Sequence, residues 1–312
     1  MESGRSGMMI GAVVGLMLLG AMPIAMLGAT GSETVHPSPL DLAPGSPILT
    51  AVRLVGDCHS IAELEWSLSS DDGAGENDIV AYDLYTGSTY DLTGTSYSLF
   101  TSLPPGTTRT LHPPGGCGIP GIPVFYLLKA RDSAGQTASA SDQGAKFSQT
   151  IGSFTGPGKA LVSIPLEQAD WSVGSVLGSV TWTRARAYGA PAGQGLGWHA
   201  YDNGRATGLL TRLDRTMGVW LQLDGSNFFW QAGIVPRVTE IALRPGWNLI
   251  GYSSFAERTV AEVLTGIDYV TIEGYADDSP YGLRRMSPAE PMVAGQGYWI
   301  HVPQAGVLTL TN

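Results

Sequence analysis

The chain has 312 residues, a net charge of −10 at pH 7 and a pI of about 4.9. Lys129, Lys146 and Lys159 are its only lysines, so it lacks the basic patch that nucleic acid binding requires, and that partner class is excluded. Forty-two glycines and 20 prolines in a chain that is 43% hydrophobic predict many short strands joined by turns, and the length suits two domains.

Residues 1–31 form the first element. Arg5 precedes an uncharged apolar run from Met8 to Gly28, followed by small residues at Ala29, Thr30 and Gly31. A positive start, an apolar stretch and a small-residue end describe an export signal. The run also approaches the roughly 20 residues of a membrane span, so a cleaved signal and a retained N-terminal anchor are both open. Either places the chain outside the cell or on its surface, with any membrane attachment through this segment alone. Residues 32–46 are a Ser/Pro-rich linker. In an exported chain Cys58 and Cys117, the only two cysteines, read as one disulfide, with two free thiols the alternative.

Residues 47–148 alternate apolar and polar positions in "ILTAVRLV", "IAELEW", "IVAYDLY", "SYSLF" and "VFYLLKA", with a weak last strand near Ala138 to Phe147. Period-two patterning with turns at short intervals predicts an antiparallel sandwich. Trp66 closes the second strand. "LPPGT" from Leu103 precedes the strand of Tyr126, which leads into "KARDSAGQ". In these features the segment resembles a fibronectin type III domain: a core Trp, a Leu-Pro-Gly-Thr loop, a corner tyrosine and an Ala-x-Asp-x-x-Gly turn. It departs from that pattern between Thr108 and Pro123, where the Pro/Gly-rich "RTLHPPGGCGIPGIP" is inserted. The resemblance implies that the loops of Cys58 and Cys117 share one pole of the sandwich, which lets the two sulfurs meet. The loop "SSDDGAGENDI" carries Asp71, Asp72 and Asp78. Clustered carboxylates suit a hard cation, so a Ca²⁺ site is one reading. The spacing does not match an EF-hand loop, and a solvated turn is the other. No further cofactor is expected.

A linker, residues 149–158, leads into a duplication. "ALVSIPLEQADWSVGSVLGSVTWTRARAY" is echoed 87 to 88 residues later by "NLIGYSSFAERTVAEVLTGIDYVTIEGY", and each copy closes on a Gly-x-Trp strand, "GVWLQL" or "GYWIHV". The copies are assigned to 159–235 and 236–312. Val173, Val176, Leu177 and Val180 in one, and Val260, Val263, Leu264 and Ile267 in the other, have the spacing of one helical face. Ser172 and Thr259 stand at the N-cap positions, and Thr259 with Glu262 forms a capping-box pattern. A unit this short buries little core alone, so the two copies are expected to pack face to face as one domain, with Trp220 and Trp299 in its core. The residues Trp247 to Tyr252 and Gly297 to Ile300 are similar to the "WNLIS…GYWI" repeats of secreted and cell-surface prokaryotic proteins, a resemblance that implies no defined activity.

The expected fold class is thus mainly β: a fibronectin type III-like β-sandwich plus a pseudo-symmetric duplicated β-rich domain with one short helix per repeat. No Gly-x-Ser-x-Gly elbow, His-Glu-x-x-His or Walker loop occurs, so no catalytic residue is assigned and the chain is not expected to be an enzyme. Copy one's middle is eight residues longer than copy two's and holds Trp198, His199 and Tyr201. Exposed rings beside polar groups stack on sugars, which makes these three the candidate ligand-binding set; the alternative is that they fold back onto the sheet. The expected function is a non-catalytic extracellular or cell-surface binding or structural protein, an adhesion or assembly module with an extracellular protein or glycan as partner. The alternative is a secreted carbohydrate-active hydrolase whose site lies in the duplicated domain.

Overall fold

A computed structural model describes residues 42–312, apart from 57–60, 92, 113–121, 140–141, 153–156, 190–196, 204–209 and 277–281. The apolar N-terminal run and both cysteines lie outside the described residues. Among the described residues no helix is long and apolar enough to cross a membrane.

The alternating segments form strands β1 (Ile48–Val55), β2 (Ile61–Ser67), β3 (Ile79–Gly87), β4 (Ser98–Leu103), β5 (Arg109–His112), β6 (Val124–Asp132) and β7 (Gln143–Ile151). They build two antiparallel sheets, β1-β2-β5 and β7-β6-β3-β4, the strand arrangement of a fibronectin type III-like sandwich. Between the sheets Trp66 meets Tyr82 at 6.1 Å between ring centroids. Tyr126 is fully buried, its hydroxyl 3.2 Å from Nδ1 of His112. β5 lies in the stretch read from sequence as insertion. It forms because "RTLH" alternates and four of its residues pair with β2, a partner that local composition does not reveal.

The first repeat contains β8 (Gly158–Ser163), helix α1 (Val173–Val176), β9 (Trp182–Gly189), β10 (Gly197–Asp202), β11 (Gly218–Leu223) and β12 (Asn227–Ile234). The second contains β13 (Val238–Leu243), β14 (Gly246–Gly251), β15 (Arg258–Thr259), helix α2 (Val260–Val263), β16 (Thr271–Tyr275), β17 (Leu283–Arg285), β18 (Pro291–Met292), β19 (Gly297–Val302) and β20 (Gly306–Thr311). The four-stranded sheets β10-β9-β11-β8 and β14-β19-β16-β17 are equivalent. In each, the Gly-x-Trp strand pairs with both the opening strand and the strand after the helix.

The helices obey the spacing of their sequence. Val173, Val176, Leu177 and Val180 are buried in the core of the first repeat, and Val260, Val263 and Leu264 in that of the second, with Ile267 packed against it. Ser172 accepts from the amide of Ser175. Thr259 accepts from the amide of Glu262, whose carboxylate in turn accepts from the amide of Thr259 at 2.7 Å. The bond from the Thr259 amide, and after it that from the Thr259 hydroxyl, holds the Glu262 carboxyl below its ordinary range. Thr259→Ala should lower stability by about 1 kcal/mol, read as a shift in the denaturant midpoint with an unchanged slope.

The two sheets meet about a pseudo-two-fold axis. Val162 bridges to Gln296, and its counterpart Ile250 bridges to Met217. The amide of Ser163 donates to Gly295 at 2.7 Å, and the equivalent amide of Gly251 donates to Thr216 at 3.0 Å. On the axis lie the glycines of the two Gly-x-Trp strands. A Cβ on Gly297 would stand 3.1 Å from the Cα of Gly218, and one on Gly218 would stand 2.7 Å from the carbonyl oxygen of Ile250. The glycines permit a backbone approach that any side chain would block.

The last strands of the two copies also correspond. β20 pairs with β13, the strand that precedes β14. β12 likewise pairs, over its whole length, with β7, the strand that precedes β8. The structural repeat therefore includes β7, which is at the same time a sandwich strand. β12 completes the five-stranded sheet β12-β7-β6-β3-β4. It feeds two cores: Phe229 is fully buried with the first repeat, while Ala232 and Ile234 pack with the sandwich. A further cluster joins Phe125 and Phe147 of the sandwich to Leu166 of the first repeat and to Val235 and Phe255.

Candidate ligand-binding face

Strand alternation decides which side chains of the duplicated sheets face outward. On β9 and β10 the pair Tyr188 and Trp198 do so; on β14, β16 and β19 it is Trp247, Glu273, Trp299 and His301. Register brings them together. Trp198 is opposite Tyr188, Glu273 opposite Trp299, and Trp247 opposite His301. The axis then sets the two halves side by side. Tyr188 of the first copy contacts Trp299 of the second at 5.3 Å between centroids, and Trp198 contacts Trp299 at 5.7 Å. Trp247 meets Trp299 at 6.1 Å with the ring planes at 87°, and His301 at 5.2 Å. Five rings thus form one continuous patch, its contacts edge to face, the geometry that aromatic quadrupoles favour, except for the tilted pair Tyr188–Trp299. Trp198 is 53% exposed and Trp247 40%. Tyr188, Trp247, Glu273, Leu283 and Trp299 line a cavity of about 350 Å³. An adjoining one of about 290 Å³ shares Tyr188 and Trp247 and is bordered by Glu240, Arg244 and Asn248.

Duplication supplies an internal control. The contact of Tyr188 with Trp299 is repeated by Tyr275 with Trp220, at 5.4 Å. These cross-copy pairs belong to the fold. The other rings do not repeat. By strand register, the position of Trp198 is Leu283 in the second copy, since each stands opposite the repeated tyrosine. The position of Trp247 is Lys159 in the first copy, and that of His301 is Gln222. Glu273 corresponds to Arg186, each opposite the repeated tryptophan. The same backbone therefore forms with leucine and lysine where the patch has two indoles. Packing does not demand Trp198 and Trp247, and large exposed apolar side chains gathered in one patch mark an interaction surface.

Of the three ring-bearing residues singled out in the sequence, only Trp198 lies on this patch. His199 points to the opposite side of β10; it is 5% exposed, with Nε2 3.1 Å from the carbonyl oxygen of Gly189. Tyr201 shares that side and packs on the first repeat's core against Trp182, at 5.7 Å. The reading of Trp220 and Trp299 as core residues is corrected. Both sit half-buried on the outer sheet surface, because the interior is already filled by the alternate positions Val219, Leu221, Tyr298 and Ile300. Tyr188, Trp247, Trp299 and Glu273 were not singled out as a set. Their signal was the mismatch between equivalent positions of the two copies, Trp247 against Lys159 and Glu273 against Arg186.

The acidic loop is tied to neighbouring segments through its carboxylates. Asp71 accepts from the amide of Gly45 at 2.7 Å. Asp72 accepts from the Tyr82 hydroxyl at 2.9 Å and from the amide of Gly106 at 2.7 Å. Burial, followed by the neighbouring Asp72 carboxylate, pushes the Tyr82 phenol upward, against the Ser69 amide. Asp78 is half-buried just before β3. Among the described residues no three His, Cys, Asp or Glu side chains are placed to hold a metal ion. Cys58 and Cys117 lie outside the described residues, as do Asp277 and Asp278.

No protein-family profile matches the chain, and no curated protein matches it. Among solved structures, it is similar to the FN1–FN3 domains of chicken CNTN1, at 10% identity and a TM-score of 0.24, covering 86% of this chain and 98% of that one. An alpha-L-rhamnosidase from Dictyoglumus thermophilum aligns at 9% identity and a TM-score of 0.25, over 86% of this chain and 49% of that one. The chitinase ChiA74 of Bacillus thuringiensis aligns at 13% identity and a TM-score of 0.19, over 61% and 27%.

Proposed function

We propose that the chain is a non-catalytic binding module that works outside the cell or on its surface, with the Trp198–Trp299–Trp247 patch as its contact face. The carrying observation is that two exposed indoles occupy positions where the equivalent half of the same fold has leucine and lysine. The export-like N-terminal segment supports the location, and the likeness of "WNLIG" and "GYWI" to repeats of secreted prokaryotic proteins agrees with it. A disulfide between Cys58 and Cys117 would suit that setting. Among the described residues the cavity beneath the patch is lined by one carboxylate, Glu273, whereas glycoside hydrolysis employs a pair flanking the scissile bond. That difference favours binding over the hydrolase reading.

The test is co-sedimentation of the full chain with cell-envelope fragments of the strain that encodes it. Trp198→Ala combined with Trp247→Ala is expected to weaken sedimentation by about tenfold or more. Unchanged sedimentation of that double variant would remove the patch from the function.

A further inference from the structure

We infer that the ligand of this face is an uncharged or weakly charged glycan, whose sugar rings lie on the indoles of Trp198, Trp299 and Trp247 and whose hydroxyls donate to Glu273. The inference rests on the reading of the patch as the binding face and adds the chemistry of what it binds.

Three features select this ligand. First, the rings touch one another at 5.3 to 6.1 Å between centroids, Tyr188 tilted against Trp299 and the indoles edge to face. They form a continuous corrugated surface that borders an open cavity, whereas an aromatic cage closes its rings around a quaternary ammonium. A pyranose presents a broad face of C–H groups, and such a face covers an indole where a point charge would contact it only locally. Secondly, Glu273 lies on the strand beside Trp299 and lines the same cavity. Its carboxylate has no hydrogen bond or ion pair with a described residue. A carboxylate that only accepts is suited to hydroxyl donors arranged around an apolar ring face. Thirdly, the charges around the two cavities balance. Glu240 and Arg244 border the adjoining one, and Arg285 stands opposite Glu273 across the strands. A strongly charged ligand of either sign would meet its own sign there. The three indoles are spaced by centroid distances of 5.7 and 6.1 Å, comparable to the size of one sugar ring, and a second cavity adjoins the first through Tyr188 and Trp247. The site therefore fits a short stretch of an extended chain rather than a single terminal sugar.

The experiment uses the full chain in native gels cast with soluble xylan, mixed-linkage β-glucan or galactomannan, and in sedimentation with insoluble chitin and peptidoglycan. Retardation or sedimentation by at least one of them is expected. It should be lost in the Trp198→Ala/Trp247→Ala variant and reduced severalfold in Glu273→Gln, with the thermal transition of each variant retained as the check on folding. In parallel, envelope fragments are oxidised with periodate, which cleaves vicinal diols, or digested with protease. Loss of patch-dependent sedimentation after periodate but not after protease supports the glycan. Loss after protease alone, with none of the five polysaccharides bound, overturns it and leaves a protein-binding face, a proline-rich segment included. Absence of any patch-dependent binding to the fragments overturns both the glycan and the binding face.

Discussion

Phe229→Ala is expected to destabilise the protein by about 3–5 kcal/mol, the range for deleting a buried phenylalanine, and to do so in one cooperative transition. Phe229 is fully buried among residues of the first repeat. Its strand, β12, is hydrogen-bonded along eight register pairs to β7 of the sandwich. Three residues on, Ala232 packs in the sandwich core. Loosening β12 therefore strips β7 of a neighbour and opens both cores together. Calorimetry should show a single endotherm displaced to lower temperature. Two separate endotherms, of which only one moves, would mean that the shared strand does not couple sandwich and repeat.

Gly218→Ala and Gly297→Ala should each lower stability by about 1–3 kcal/mol, the usual result of forcing a methyl into a closed packing site. Neither is a turn glycine whose φ excludes side chains. The penalty comes from the opposing copy: the Ile250 carbonyl and Leu249 against Gly218, the Val162 carbonyl and Leu161 against Gly297. Because each methyl would meet equivalent atoms, the two losses should be similar. Both substitutions act on the same contact, so the double variant should lose less than the sum. Near-zero effects in urea titrations would place the glycines away from a closed interface and remove the pseudo-two-fold packing.

Local patterns carried the helices and most strands. Val260, Val263 and Leu264 repeat with helical spacing, and Thr259 with Glu262 announces a capping box, since those interactions lie within one turn of the chain. The alternation in "IVAYDLY" and "VFYLLKA" exposed the sandwich for the same reason. What stayed hidden depends on partners far away in sequence. β5 is four residues whose strand character comes from pairing with β2. β7 looked weak because its neighbour β12 arrives some eighty residues later. The candidate site was half legible. Trp198 stood out in the longer middle of copy one, yet His199 and Tyr201 beside it belong to the opposite face of the strand. The remaining patch residues come from copy two, and only the axis through Gly218 and Gly297 sets them against Tyr188. Trp247 and Glu273 were visible in the sequence as residues, but their meaning lay in the comparison with Lys159 and Arg186, positions that matter only once the sheets are overlaid.

If the exposed indoles serve contact with a ligand and not folding, the fold itself supplies the variant that shows it. Trp198→Leu combined with Trp247→Lys gives the patch the residues that the equivalent half already carries. The measurement is the thermal transition of this variant, taken beside its sedimentation with envelope fragments. A midpoint within about 2 °C of the parent, corresponding to about 1 kcal/mol in a chain of this size, together with lost sedimentation, is the predicted result. A midpoint many degrees lower, or sedimentation equal to the parent's, would contradict it.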